Sequence, residues 1–206
     1  QQHNAKSLLV FAFPTIIMMV FMSLYTMVDG IFVARYSADA FTAVSLVLPI
    51  QMLMLAVSTG PGVGINSLVS RRLGEKKGKE ARMSACNGVF LELIGYGMFL
   101  LFGLFAAKPF MKVLTSDPTL QQLGGTYLMI VTTLSFGQFL SIVFERLMQA
   151  TGNTVASMIT QLTGAVVNII LDPILIFGWL GLPALGVAGA ALATVIGQVS
   201  GMTLGF

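Results

Sequence analysis

The chain has 206 residues, of which 56% are hydrophobic and only 9% charged, and its mean hydropathy of +0.89 makes lipid the expected solvent. A single cysteine, Cys86, excludes an internal disulfide and a four-cysteine metal site. The single histidine, His3, leaves histidine-based catalysis and metal ligation without support, and the net charge of +3 does not signal nucleic acid, because the basic residues gather mostly in one loop.

About 20 mostly apolar residues span a bilayer as a helix. Six such runs follow in order, at approximately 8–34, 40–69, 85–107, 123–148, 155–178 and 184–206. The predicted fold is therefore an all-α integral membrane bundle of six transmembrane helices in one domain, 1–206. The first run is too long for the apolar part of a cleavable signal. Within it Pro14 is expected to kink the helix and act as a hinge. Thr15, Met18, Met22, Tyr25, Thr26 and Asp29 recur at helical spacing and form one face. Asp29 reads either as a working acid or as an interfacial acid paired with Arg35.

In the second run, Gly60-Pro61-Gly62-Val63-Gly64 is expected to break or soften the helix. The loop that follows carries six basic residues, Arg71, Arg72, Lys76, Lys77, Lys79 and Arg82. Its Gly74…Gly78-Lys79 echoes a phosphate loop, but Glu80 stands where Ser or Thr is needed. The loop is better read as cytoplasmic. With Lys6 and Arg146 it puts about eight basic residues inside, against Arg35, Lys108 and Lys112 outside, so the amino terminus is expected in the cytoplasm.

In the third run Glu92 is expected to snorkel or to pair with a basic residue such as Arg82. Asp117-Pro118 reads as a helix-starting turn. The fourth run carries Ser135, Gln138, Ser141, Glu145 and Gln149 on one stripe. Its Glu145 and Arg146 are adjacent and point apart, so inter-helix ion pairs that hold a gate state are expected there. The fifth run carries Ser157, Gln161, Gly164, Asn168 and Asp172 on one face. The sixth adds Thr194 and Gln198, together with a run of small residues from Gly186 to Ala193 that suits close packing.

An acid within a span costs roughly 2.5–3.5 kcal/mol on insertion scales, so it is rare unless it is used. Asp29 lies about five residues before the end of its run and Asp172 about six, which puts both at nearly one depth, 8–9 Å by helical rise. That coincidence points to a shared site in the outer half of the bundle. Polar stripes alone read as helix–helix glue. Two acids on two of them shift the reading to a wet cavity lined by Tyr25, Thr26, Gln161, Gln138, Thr194 and Gln198. An acid that binds and releases a cation as a cavity opens and closes is what coupling to an H⁺ or Na⁺ gradient requires. Asn168 offers an amide beside Asp172 or an oxygen to Na⁺.

Several motifs resemble the multidrug and toxin extrusion family, in its DinF-like and MepA-like branches. They are Asn168-Ile-Ile-Leu-Asp172-Pro173-Ile-Leu-Ile-Phe-Gly178 followed by Pro183-Ala-Leu-Gly-Val-Ala-Gly-Ala-Ala-Leu-Ala-Thr194, Met27-Val-Asp29-Gly-Ile-Phe-Val33, Ser70-Arg-Arg-Leu-Gly74 and Gln149-Ala-Thr-Gly152-Asn153. The resemblance covers nearly the whole chain. It implies the amino-terminal lobe of a 12-helix antiporter in a prokaryotic plasma membrane, which exports cationic or amphipathic drugs in exchange for H⁺ or Na⁺. It implies a coupling-cation site at Asp29, Asp172 and Asn168, a bending proline at Pro14, and no cofactor or metal beyond such an ion. The second lobe is absent from these six spans, and the lobe alone is expected not to transport. Two alternatives stay open: a flippase for lipids or lipid-linked sugars from the same superfamily, and a non-transporting membrane scaffold. An enzyme is not expected.

Overall fold

The computed structural model describes residues 5–205, with the side chains of 5–11, Pro14 and Thr15 outside that description. Among the described residues every regular element is helical. The α-helices are α1 (Ala5–Tyr36), α2 (Ala38–Gly74), α3 (Gly78–Leu101), α4 (Ala107–Leu114), α5 (Pro118–Thr133), α6 (Phe136–Ala150), α7 (Thr154–Phe177) and α8 (Val187–Gly205). Five helical stretches are long and apolar enough to cross a membrane, and α5 with α6 makes a sixth if the bent pair is one span. The chain is membrane-spanning. Large apolar side chains turned outward, such as Met19, Met27, Phe90 and Phe105, suit that solvent.

The turns between spans are short and capped by polar side chains. Ser37 starts α2 by accepting from the Asp39 and Ala40 amides at 3.2 and 3.4 Å. Asp117 starts α5 by accepting from the Thr119 amide at 2.8 Å, with Pro118 at the first helical position. Asn153 accepts from the Ala156 amide at 3.1 Å at the head of α7. That helix ends at Gly178, whose φ of 74° is the left-handed conformation a glycine takes without Cβ clash.

Three local features depart from the sequence expectations. The fourth span is not one helix over 123–148: α5 and α6 meet at 45°. The Thr132 and Thr133 hydroxyls turn back to the carbonyls of Leu128 and Met129, and the Ser135 hydroxyl donates to the Thr132 carbonyl at 2.8 Å. Hydroxyls that compete in this way for backbone partners bend a helix. The third span changes pitch over one π turn, Phe102–Ala106, between α3 and α4. Conversely, α2 runs unbroken through Pro49 and Pro61. Gly62 gives no hinge but close approach: a Cβ there would stand 3.1 Å from the Arg146 Cγ. The backbone of α1 is helical through Pro14, and the hinge expectation there falls on a side chain outside the described set.

α7 and α8 pack backbone to backbone. A Cβ on Gly164 would stand 2.9 Å from the Gly197 carbonyl oxygen, and one on Gly197 would stand 2.6 Å from the Gly164 carbonyl oxygen. At the far end of the chain's basic loop Glu75 gathers three cations, Arg71 at 3.1 Å, Arg72 at 3.2 Å and Lys77 at 3.2 Å. Hydrogen bonds from Arg71, then Lys77 and Arg72, lower its carboxyl to about 2. The network lies at the surface, where solvent screens it, so it adds little to stability.

Candidate functional site

One cavity of about 470 Å³ lies within the bundle, walled by α1, α2, α5, α6, α7 and α8. That volume suits a drug-sized ligand. All six residues expected to line a cavity, Tyr25, Thr26, Gln138, Gln161, Thr194 and Gln198, are on its wall. So are Asp29, Asn168 and Glu145.

At the end of the cavity nearest the α1–α2 turn, Asp29 and Asp172 face each other, carboxyl to carboxyl. Asp29 is half-buried and lines the cavity, whereas Asp172 is fully buried behind the wall. The two carboxyl groups inferred to share a depth are neighbours that act on each other electrostatically, with Asp172 one layer further from the open space. Among the described residues no donor reaches either Asp172 oxygen, Asp29 Oδ1 or Asn168 Oδ1. Asn168 Nδ2 donates to Thr194 Oγ1 at 3.4 Å, and Thr194 in turn donates to the Ala190 carbonyl at 3.0 Å. The Tyr25 hydroxyl also meets Thr194. Four acceptor oxygens without a protein donor among the described residues are therefore gathered in one place. Two carboxylates at such range repel each other unless a proton or a cation lies between them. The donor set is all oxygen, which fits a proton or a hard monovalent ion such as Na⁺. Arg35 forms no ion pair with Asp29 among the described residues.

The middle of the wall is amide-rich. Gln198 Nε2 donates to Gln138 Oε1 at 3.1 Å, and Ser141 donates to the Gln198 carbonyl at 2.9 Å. Gln51 Nε2 donates to the Tyr127 hydroxyl oxygen at 3.1 Å, and both line the cavity. Neither was expected from the sequence. Gln51 is an amide in the middle of the apolar second run, and the same search for polar residues inside spans would have found it. Tyr127 carries no such signal.

At the opposite end, Glu145 accepts a hydrogen bond from Gln161 Nε2 and is buried. The ion pairs expected for Glu145 and Arg146 are not present among the described residues. Arg146 Nη1 donates instead to Gln149 Oε1 at 3.0 Å, and Gln149 Nε2 reaches Ser157 at 2.9 Å. Glu92 lies off the cavity, on α3. It is fully buried, with no donor on either oxygen and no pair with Arg82.

Residues 14–174 match the MatE family model. Among curated relatives, an FAD transporter of Shewanella oneidensis is 24% identical over 180 residues, which is 87% of this chain and 40% of that protein. A multidrug export protein MepA of Staphylococcus aureus is 29% identical over 200 residues, 95% of this chain and 43% of that protein. The solved outward-facing structure of a multidrug resistance transporter of the MOP superfamily superposes with a TM-score of 0.86 at 28% identity, covering 94% of this chain and 42% of its own. The chain thus spans less than half the length of the proteins it matches.

Proposed function

Because the chain belongs to the MatE family, whose members are transporters and not enzymes, we propose that it forms the amino-terminal lobe of a two-lobe exporter. In this reading cationic amphipathic compounds leave in exchange for H⁺ or Na⁺. The observation that carries it is the cavity wall: carboxyl groups at both ends, an apolar and methionine-rich body, and no Lys, Arg or His among its described residues. Such a wall attracts a cation and disfavours an anion. The paired acids Asp29 and Asp172, with Asn168, Thr194 and Tyr25 beside them, are the coupling site. A cation bound there neutralises two repelling carboxyls and draws α1 toward α7. Release of the ion restores the repulsion and loosens that pair of helices. Binding energy that differs between two arrangements is what shifts an equilibrium between them.

Alternating access needs a second lobe against which this one moves. The basic loop 71–82 lies on the cytoplasmic side of a bacterial plasma membrane, with the amino terminus on the same side. One relative is named for FAD, and a flippase for lipid-linked sugars would likewise carry a diphosphate. A diphosphate calls for basic residues in the wall, and this wall favours the opposite charge. A scaffold has no use for opposed buried acids.

The test is gradient-driven efflux of a fluorescent cation from vesicles holding the full-length protein, driven in turn by a proton and by a sodium gradient. Asp172→Asn abolishes efflux while expression is kept. Asp29→Asn weakens coupling by about tenfold or more. Normal efflux by the Asp172 variant overturns the assignment.

A further inference from the structure

The coupling site uses the acids at one end of the cavity and leaves Glu145 at the other end without a task. Resting on the antiporter reading above, we propose that Glu145, positioned by Gln161, anchors the positively charged group of the transported compound, so that coupling ion and cargo hold separate carboxyl groups of one cavity.

Four observations carry this. First, the two acidic ends are far enough apart to be occupied together. Gln161, which binds Glu145, precedes Asn168 by seven residues and Asp172 by eleven on the same helix, which is about 10 and 16 Å of rise. Second, Glu145 is 6% exposed and its bonded partner is a neutral amide. Arg146, the next residue, forms no ion pair with Glu145 among the described residues: its Nη1 donates to Gln149, its Nε is buried without a partner, and its stem lies along Gly62. Gln161 occupies one carboxylate oxygen and leaves the other for a ligand. Third, no other charged residue lines that end, where Ser141, Ile142, Thr160 and Gly201 complete the wall. A carboxylate in a wall of low polarity attracts a cation more strongly than one in water. Fourth, the space between the two ends is walled largely by apolar side chains, among them Met22, Leu48, Met52 and Leu55. That is the surface an amphipathic cation needs for its uncharged body, and methionine adapts to its shape.

Gln161 is a positioning residue in this scheme. Its amide fixes the Glu145 rotamer, so that the charge meets the ligand in one place and does not follow it around the cavity.

The experiment measures binding, with no ion gradient, on the purified full-length protein. The probes are tetraphenylphosphonium and its near-isosteric neutral counterpart, tetraphenylsilane. Glu145→Gln weakens tetraphenylphosphonium binding by at least about tenfold and changes the neutral probe by less than about twofold, since only the charge-assisted contact is lost. Gln161→Met, which keeps Glu145 and removes its partner, gives an intermediate loss for the cation alone. Glu92→Gln, at an acid that lies off the cavity, leaves the Kd for tetraphenylphosphonium within about threefold of the parent. Wild-type cation affinity in the Glu145 variant, or equal losses for both probes, overturns the proposal. If Glu145→Gln does not yield folded protein, wild-type cation affinity in Gln161→Met overturns it instead. Failure of the antiporter reading is read separately, as gradient-driven efflux that survives Asp172→Asn.

Discussion

Glu92 shows what an intramembrane acid looks like when it has neither partner nor cavity. It is 1% exposed, both oxygens lack donors, and it lies outside the lining of the cavity. A buried polar group without a hydrogen bond costs about 1–3 kcal/mol, and more if charged. Glu92→Met, which keeps the volume and removes the polar atoms, is therefore expected to raise the thermal unfolding midpoint in detergent. A lowered midpoint would reveal a partner contributed from outside these six spans. Asp172 was legible in the sequence because a carboxylate in an apolar run stands out by its cost alone, Asn168 because its amide lies one helical turn before it, and Asp29 because it shares the depth of Asp172. What stayed hidden was which acids share a space. Glu92, Glu145 and Asp172 read alike along the chain, and only the packing separates a donor-less core acid from a cavity acid and a coupled pair. Tyr127 was illegible for a different reason: an aromatic in a span is ordinary filler until an amide from another helix, here Gln51, is found against its hydroxyl.

The helix pair α7 and α8 is joined through glycine, and that joint is the least tolerant element of the bundle. Gly197→Val would put side-chain carbon within 2.6 Å of the Gly164 carbonyl oxygen. It is expected to cost about 1–3 kcal/mol or more through forced backbone shifts, seen as a lowered unfolding midpoint. Gly97 on α3 is the internal control. Nothing lies within 4 Å of a Cβ built there, so Gly97→Ala is expected to be neutral or to stabilise by about 0.5–1 kcal/mol. A like effect from both substitutions would mean that helix propensity, not the seam, sets the outcome. The small-residue run of the sixth span signalled close packing, which Gly189 makes against the Leu175 carbonyl, but it stops short of Gly197 and did not name Gly164 as the other face. The bend of the fourth span was less legible. Thr132, Thr133 and Ser135 all sit in an apolar run without proline, and hydroxyls in a helix bend it only where they turn back on their own carbonyls. The Tyr96 hydroxyl, 3.1 Å from the Thr133 carbonyl, then caps a group the bend would otherwise leave bare.

At the scale of the whole molecule, the proposed orientation is argued from one loop. Replacing Arg71, Arg72, Lys76, Lys77 and Lys79 with glutamine removes five positive charges, and is expected to give a mixed population in the membrane. Accessibility of a Thr115→Cys thiol in a Cys86→Ser background to an impermeant maleimide reports it; a single uniform orientation would place the determinant elsewhere. If the lobe holds amphipathic cations as proposed, the glycine joint shapes which of them it accepts. One side of the cavity is a rigid plate, where Gly164, Gly197, Asn168 and Thr194 are held by mutual backbone contact. The other is a cushion of unbranched thioethers and leucines on α1 and α2. A vice with one fixed jaw and one padded jaw grips objects of many outlines, yet registers each against the same face. Compounds that differ widely in bulk would be held alike, and those with the charge displaced by a few ångströms would slip.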